Sequence, residues 1–260
     1  MTVADIFAKI SSGVVHFVFE NAGQRVGSGS GFVLDGCIIT NHHVYRDTLS
    51  FQTRLRYLDP KSVLYKDVVF APGQLRLRSG SDENSYDFAI LEIAKIPLHE
   101  LHNFQIGNWK SVRVGSGALV LGFPFEIDRL TVHSGIISAK FKSGVADILQ
   151  LDASVNPSNS GGPLVDAETG ELIGIVTRRH TGFSNQFDKL IEGIDGCIHQ
   201  LSQPRGGSVQ LMGVDPFEVY MVQFQQLRGI AAELYRSANV GIGYAFGLDG
   251  IARDLGFEEK

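Results

Sequence analysis

A chain of 260 residues that is 43% hydrophobic and 20% charged can bury a sizeable core in one large or two small domains. Its net charge of −5 gives no general attraction for nucleic acid or anionic membranes, so neither is expected as a partner. No apolar run approaches the roughly 18 residues of a membrane-spanning helix. The N-terminal stretch MTVADIFAKISSGVVHFVFE does not read as a signal peptide, because Asp5 interrupts its apolar run and no small-residue cleavage site follows a basic start. Ala4, Phe7, Ala8 and Ile10 instead suggest a short amphipathic helix, followed by a strand from Gly13 to Glu20. Cys37 and Cys197 lie far apart in unlike contexts and read as unpaired buried thiols, which suits a reducing, cytoplasmic compartment.

From residue 13 to 177 the chain is a series of short apolar runs punctuated by Gly, Asn and Asp: VVHFVF, SGFVLDGCIIT, SFQTRLRYL, FAILEI, GALVLGF, GIISAKF, ILQLDASV and ELIGIVT. Few helical periods lie between them, so an antiparallel all-β sandwich or barrel is expected and a doubly wound sheet is not. After Arg179 the pattern changes. Phe187, Leu190, Ile191, Ile194, Ile198 and Leu201 share one helical face, with Ser184 as a cap. Beyond the Gly-rich QPRGGS, Asp215-Pro216 opens a second helix with a stripe of Phe217, Met221, Phe224, Leu227, Ala231, Leu234 and Tyr235. VGIGYAFGL then returns to strand character, and GLDGIARDLGF suggests a short closing helix.

Three stretches carry the parts for nucleophilic acyl transfer. TNHHV (40–44) follows a strand, YDFAILEI (86–93) carries an acid into one, and SNSGGP (158–163) sets a serine against two glycines. A serine hydroxyl is a poor nucleophile until an imidazole takes its proton, and the imidazole needs a buried carboxylate to hold its tautomer. Backbone N–H groups in a glycine-rich turn can then stabilise an oxyanion, each contributing about 3–4 kcal/mol in measured cases. Of the two histidines, His42 competes with His43. Asp82 and Glu83 lie near Asp87, but neither enters the apolar strand.

The stretches GSGSGFVLDGCIITNHHV, YDFAILEI, LVLGFPF, TVHSGIISA, LQLDASVNPSNSGGPLVD and GELIGIVT, with VGIGYAFGLDGIARDL, resemble the trypsin-like serine proteases of the HtrA/Deg type. The likeness covers nearly the whole chain outside about 180 to 238. It implies two antiparallel β-barrels of the chymotrypsin type; the helical pair read above is then a helical insertion near the C-terminus, followed by the short closing helix. The implied boundaries are 1–105 for the first barrel, 106–179 with 239–260 for the second, and 180–238 for a two-helix insertion. By matching position the resemblance makes His43 the base, Asp87 the orienting acid and Ser160 the nucleophile, with Ser158, Asn159 and Ser160 forming the oxyanion turn. Thr177 is implied to lie near the Asp87 carboxylate. The implied activity is that of a serine endopeptidase acting on proteins or peptides, without cofactor or metal. The rival is a catalytically inactive peptide-binding or scaffold protein that keeps the barrels.

Two departures from the family pattern bear on activity. Ser158 stands where the family usually has Gly, so a left-handed backbone there would be strained and the oxyanion turn could be misformed at rest. Asn159 stands where trypsin has the Asp that pairs with a newly cleaved N-terminus, so activation by such cleavage is not expected. Ser154 matches the base of the primary specificity pocket, where an Asp would select Lys or Arg, and Val155 would narrow the pocket toward small or medium apolar residues. Arg178 and Arg179 follow on the wall strand; either one turns inward to favour an acidic residue, or both are solvated, which is the expectation. The inserted helices could gate access, join a homo-oligomer or receive a regulatory partner, although simple packing of their apolar stripes is the plainer reading. Family members often carry a C-terminal PDZ domain; none is expected here. VGSGSGF leads into a strand and so is not a dinucleotide loop, and His99 and His102 lack metal-site spacing.

Overall fold

The computed structural model describes every residue except 157, 178–181, 204–212, 214, 238–240 and 258–260, and omits the side chains of 126, 182–188, 233 and 235–237. It divides into two compact units, one of Met1–Arg178 with Gly241–Lys260 and one of Arg179–Val240. The first unit opens with α1 (Val3–Ile10), whose Thr2 and Asp5 form a reciprocal capping box. Asp5, which breaks the apolar run in the sequence, is thus a helix-start residue. The helix buries Ile6 and Ile10, while Ala4 and Ala8 face solvent, contrary to the stripe drawn through them from the sequence. The larger Ile6 and Phe7 side chains remove more apolar area from water than two alanine methyls, and they decide the face.

Strands β1 (Val14–Asn21), β2 (Gln24–Leu34), β3 (Cys37–Thr40), β4 (Gln52–Asp59), β5 (Leu64–Phe70), β6 (Arg76–Ser81) and β7 (Phe88–Glu92) form an antiparallel sheet in the order β5-β4-β1-β2-β3-β7-β6. Two tight hairpins set its register. Ala22 and Gly23 have φ of 50° and 76°, Asp35 and Gly36 have 51° and 67°, and each pair joins directly opposed strand ends. Left-handed angles at both central residues define the turn whose twist suits a hairpin. The single run SGFVLDGCIIT is therefore two strands. Phe17, Phe19, Val33, Ile38, Leu55, Tyr57, Ala89 and Leu91, drawn from five strands, enclose one core. The exposed, charged β5 and β6 escape a reading based on apolar runs.

Strands β8 (Gly117–Gly122), β9 (Thr131–Ser143), β10 (Ala146–Asp152), β11 (Pro163–Asp166), β12 (Leu172–Thr177) and β13 (Ile242–Phe246) close into a barrel in the order β10-β13-β12-β11-β8-β9. Ile148, Leu151, Leu164, Ile175, Val176 and Phe246 help fill its core. The architecture is the all-β arrangement expected. The chain leaves the barrel at Thr177 and returns as β13, which pairs with β12. The helix α5 (Asp249–Leu255) closes the chain and ends at Gly256 with φ of 74°, the left-handed position that glycine tolerates best.

The second unit holds α3 (Gly182–Ser202) and α4 (Pro216–Ser237), which contact each other. The Phe217 N–H donates to Asp215 Oδ1 at 2.8 Å, so Asp215 caps α4 ahead of Pro216. Ile194 and Ala231 are buried and Ile191, Ile198, Phe217, Met221 and Phe224 half-buried. Leu190, Leu227 and Leu234, assigned to the same stripes, are exposed instead. Ser184, Phe187 and Tyr235 lie outside the described side chains. Arg228 pairs with Asp195 across the two helices.

Candidate active site

His43 and Asp87 meet at the junction of β3 and β7. After Thr40 the chain turns at Asn41 into α2 (His42–Ser50), a helix that the sequence reading did not anticipate. His43, in its first turn, sets Nδ1 2.9 Å from Asp87 Oδ2, and its backbone N–H donates to Asp87 Oδ1 at 3.2 Å. A carboxylate only accepts, so Nδ1 carries the proton and Nε2 is left as the acceptor. The hydroxyl of Thr177 donates to the same Oδ2 at 3.1 Å. Asp87 is only 3% exposed and sits at φ 44°, a left-handed angle that costs a non-glycine residue on the order of 1–2 kcal/mol. Asn41 Nδ2 donates to its carbonyl at 2.8 Å, and the Asp87 N–H donates to Asp82 O at 2.9 Å. Both bonds hold the unusual backbone. His42 is half-buried beside Tyr45, 6.2 Å between ring centroids, and makes no hydrogen bond to Asp87.

The serine turn is built almost wholly from backbone hydrogen bonds. Asn159 N–H donates to Asn156 O, Gly162 N–H to Asn159 O, Gly161 N–H to Val176 O and Val176 N–H to Gly162 O. The Ser30 N–H of β2 donates to Ser160 O at 2.8 Å, fastening the turn to the first sheet. Gly161 has φ 85°, and a Cβ there would fall 2.2 Å from Ser30 O and 2.3 Å from Thr40 Oγ1. Only glycine permits this approach, which brings the residue after Ser160 against the strand end leading to His43. Among the described residues, the N–H groups of Ser158 and Ser160 make no hydrogen bond, nor does Ser160 Oγ. Asn159 is fully buried with neither end of its amide partnered.

Ser158 adopts φ 75°, so the backbone takes the left-handed angle even without glycine. Ser28 Oγ lies 2.6 Å from Ser158 Oγ, and Ser30 Oγ donates to Ser158 O at 2.7 Å. Neither serine was singled out from the sequence. The signal was the alternation GSGSG in β2, because period two puts the serines on one face and the glycines on the other. On the glycine face, a Cβ at Gly29 would meet Val44 and one at Gly31 would meet Phe17, each at 2.7 Å. The serine face looks toward the turn that carries Ser160.

A family model described as a trypsin-like peptidase domain matches residues 29–175, more than half of the chain. The chain belongs to that family. It is similar to serine protease HTRA1A of Danio rerio, 31% identical over 223 residues that make up 78% of this chain and 43% of that protein. It is similar also to a probable periplasmic serine endoprotease, DegP-like, of Pseudomonas fulva, 35% identical over 159 residues, 59% of this chain and 29% of that protein. The chain thus spans less than half the length of these curated relatives. Among solved structures, an HtrA-type protease AlgW with tripeptide aligns at TM-score 0.54 and 29% identity, covering 68% of this chain and 54% of that one. Deg5 aligns at TM-score 0.56 and 26% identity, covering 67% and 83%.

In this trypsin-like domain the remaining sequence-derived positions separate. Ser154 is exposed, whereas Val155 is buried against β13, where a Cβ on Gly243 would lie 2.2 Å from Val155 Cγ2. Arg178 and Arg179 lie outside the described residues. Cys37 and Cys197 are unpaired as read, but Cys197 is only half-buried. Beside the serine turn lies an unforeseen ionic cluster. His16, fully buried on β1 and opposite Ser30 in the ladder, stacks on Phe123 at 4.3 Å. Arg25 approaches His16 Nε2 at 3.1 Å and pairs with Asp128, which Arg56 also holds at 3.1 Å. Because a guanidinium can only donate, Nε2 accepts and the ring is neutral. Burial, helped by Arg25, Arg56 and Arg54, pushes its pKa down to about 2. No described helix is long and apolar enough to cross a membrane.

Proposed function

We propose that this chain is a serine endopeptidase that cleaves peptide bonds through an acyl-enzyme. The observation that carries the reading is the 2.9 Å hydrogen bond of His43 to the buried Asp87 carboxylate, which leaves Nε2 basic. Ser160 Oγ attacks the peptide carbonyl carbon and its proton passes to His43 Nε2. The oxyanion takes hydrogen bonds from the unbonded N–H groups of Ser158 and Ser160. His43 then returns the proton to the departing amine, and a water, deprotonated by His43, releases the acyl group. Asp87 holds the imidazole tautomer, and Thr177 holds Asp87. In the free enzyme Ser160 Oγ is not bonded to His43; such contacts tighten when substrate docks.

The uncharged Ser154 and the buried Val155 favour cleavage after small or medium apolar residues. A peptide-library profile dominated by Lys or Arg would defeat this part of the reading. The inserted helices are the proposed place for regulation or self-association. The cytoplasmic expectation gains nothing from the relatives, one of which is named periplasmic; the unpaired cysteines are its remaining support.

A fluorophosphonate probe tests the activity, since Ser160 Oγ attacks its phosphorus, fluoride leaves and the proton goes to His43. The full chain should be labelled at Ser160. Ser160→Ala should stay folded, escape labelling and lose a factor on the order of 10⁶ in turnover of casein. A chain unlabelled both alone and with cell extract would be the non-catalytic scaffold instead.

A further inference from the structure

We infer that Ser28 and Ser30 are positioning residues for the oxyanion turn, gripping Ser158 by its hydroxyl and its carbonyl and holding it at the positive φ that leaves its N–H free for an oxyanion. The inference rests on the peptidase reading above. Its physical basis is the conformation of Ser158, because a serine at φ 75° relaxes out of the left-handed region unless something opposes it. Two contacts do. Ser30 Oγ accepts from the Phe123 N–H at 3.1 Å and donates its single proton to Ser158 O at 2.7 Å, so that proton is committed in a polarised chain. Ser30 is fully buried, and its backbone N–H simultaneously holds Ser160 O. One residue of β2 therefore fixes the carbonyls on both sides of Asn159.

The second contact, between the hydroxyls of Ser28 and Ser158, exists only because residue 158 is serine. A glycine would reach the same angle without help and would offer nothing to Ser28. The two hydroxyls thus offset the strain that the serine introduces. The bond from Ser30, by contrast, serves a carbonyl that every residue has. The two grips make different predictions when residue 158 is changed.

The test is the limiting rate of fluorophosphonate labelling of the full chain, measured with its half-saturating probe concentration and with thermal unfolding. Ser28→Ala should lower the limiting rate about tenfold, a fraction of the 10²–10³ lost with a whole oxyanion donor, and leave the half-saturating concentration unchanged. Ser28→Thr, which keeps the hydroxyl, should restore the rate. In a Ser158→Gly background, adding Ser28→Ala should change nothing further, whereas adding Ser30→Ala should still slow labelling. Because Ser30 is wholly buried, the arm at half-buried Ser28 keeps the result independent of folding. Ser28→Ala labelling at the unmodified rate, or losing as much on glycine as on serine at 158, would overturn the inference. Absence of labelling in the unmodified chain would overturn both it and the peptidase reading; equal labelling of all variants would overturn it alone.

Discussion

The two halves of the candidate site are held in different ways. On the acid–base side, side chains dominate the contacts: those of His43, Asn41 and Thr177 all bond to Asp87, at its carboxylate or its carbonyl, beside two backbone N–H bonds. On the nucleophile side, backbone groups bond to backbone groups, and side chains enter only where Ser28 and Ser30 reach Ser158. Each half contains one non-glycine residue at a positive φ, Asp87 or Ser158. Asn41 and Asp82, at the ends of neighbouring strands, supply the bonds that oppose relaxation at Asp87, and Ser28 and Ser30 of β2 supply them at Ser158. The hairpin glycines Gly23 and Gly36 show the contrast, since they take similar angles with nothing near the missing Cβ. Positive φ at non-glycine residues also occurs at Ala22, Asp35, Val63 and Phe125, so what sets Asp87 and Ser158 apart is the side-chain hydrogen bonds that reach them from distant segments.

The largest effect that would sharpen this comparison is loss of the carboxylate. Asp87→Asn should keep the fold by circular dichroism yet lower kcat by a factor on the order of 10⁴, since the amide favours the wrong imidazole tautomer. A loss below tenfold would break the acid–base half of the scheme. Asn41→Ala leaves the Asp87 carbonyl without its donor. It should cost about 1–3 kcal/mol in urea unfolding and roughly ten- to a hundredfold in kcat, through misplacement of the acid. Stability lost without any fall in kcat would make Asn41 a purely structural residue.

The smallest effect concerns the cluster under the serine turn. His16 has a folded pKa depressed to about 2 from 6.5, so the unfolded chain binds its proton first as pH falls. Its contribution to stability is complete above about pH 6.5 and is lost progressively below that, about 2 kcal/mol by pH 5. In His16→Phe, the fall in unfolding free energy between pH 7 and pH 5 should shrink by about that amount. An unchanged fall would mean that the imidazole is hydrated in solution.

How much was legible follows from the range of each signal. TNHHV, YDF and SNSGGP are local patterns, and His43, Asp87, Ser160 and Thr177 were nominated from them through the family resemblance. The Asp215-Pro216 start of α4 was equally plain, because capping involves neighbours in the chain. What escaped was non-local or amphipathic in an unexpected way. Strand β6 carries no apolar run and β5 only the short VVF at its end, and α2 follows its strand with little helical periodicity. The exposed Leu190, Leu227 and Leu234 sit on stripes that the sequence makes look uniform.

The sequence alone determined the residue types, their order, and the turn chemistry that must sit beside the serine. Covalent neighbours dictate those, through glycine's freedom of φ and the period-two alternation of strands. Only the tertiary structure decided that Ser158 takes a left-handed angle and that Ser28 and Ser30, 130 and 128 residues away, hold it there. Hydrogen bonds between distant segments depend on how two sheets pack, and no local pattern encodes that distance.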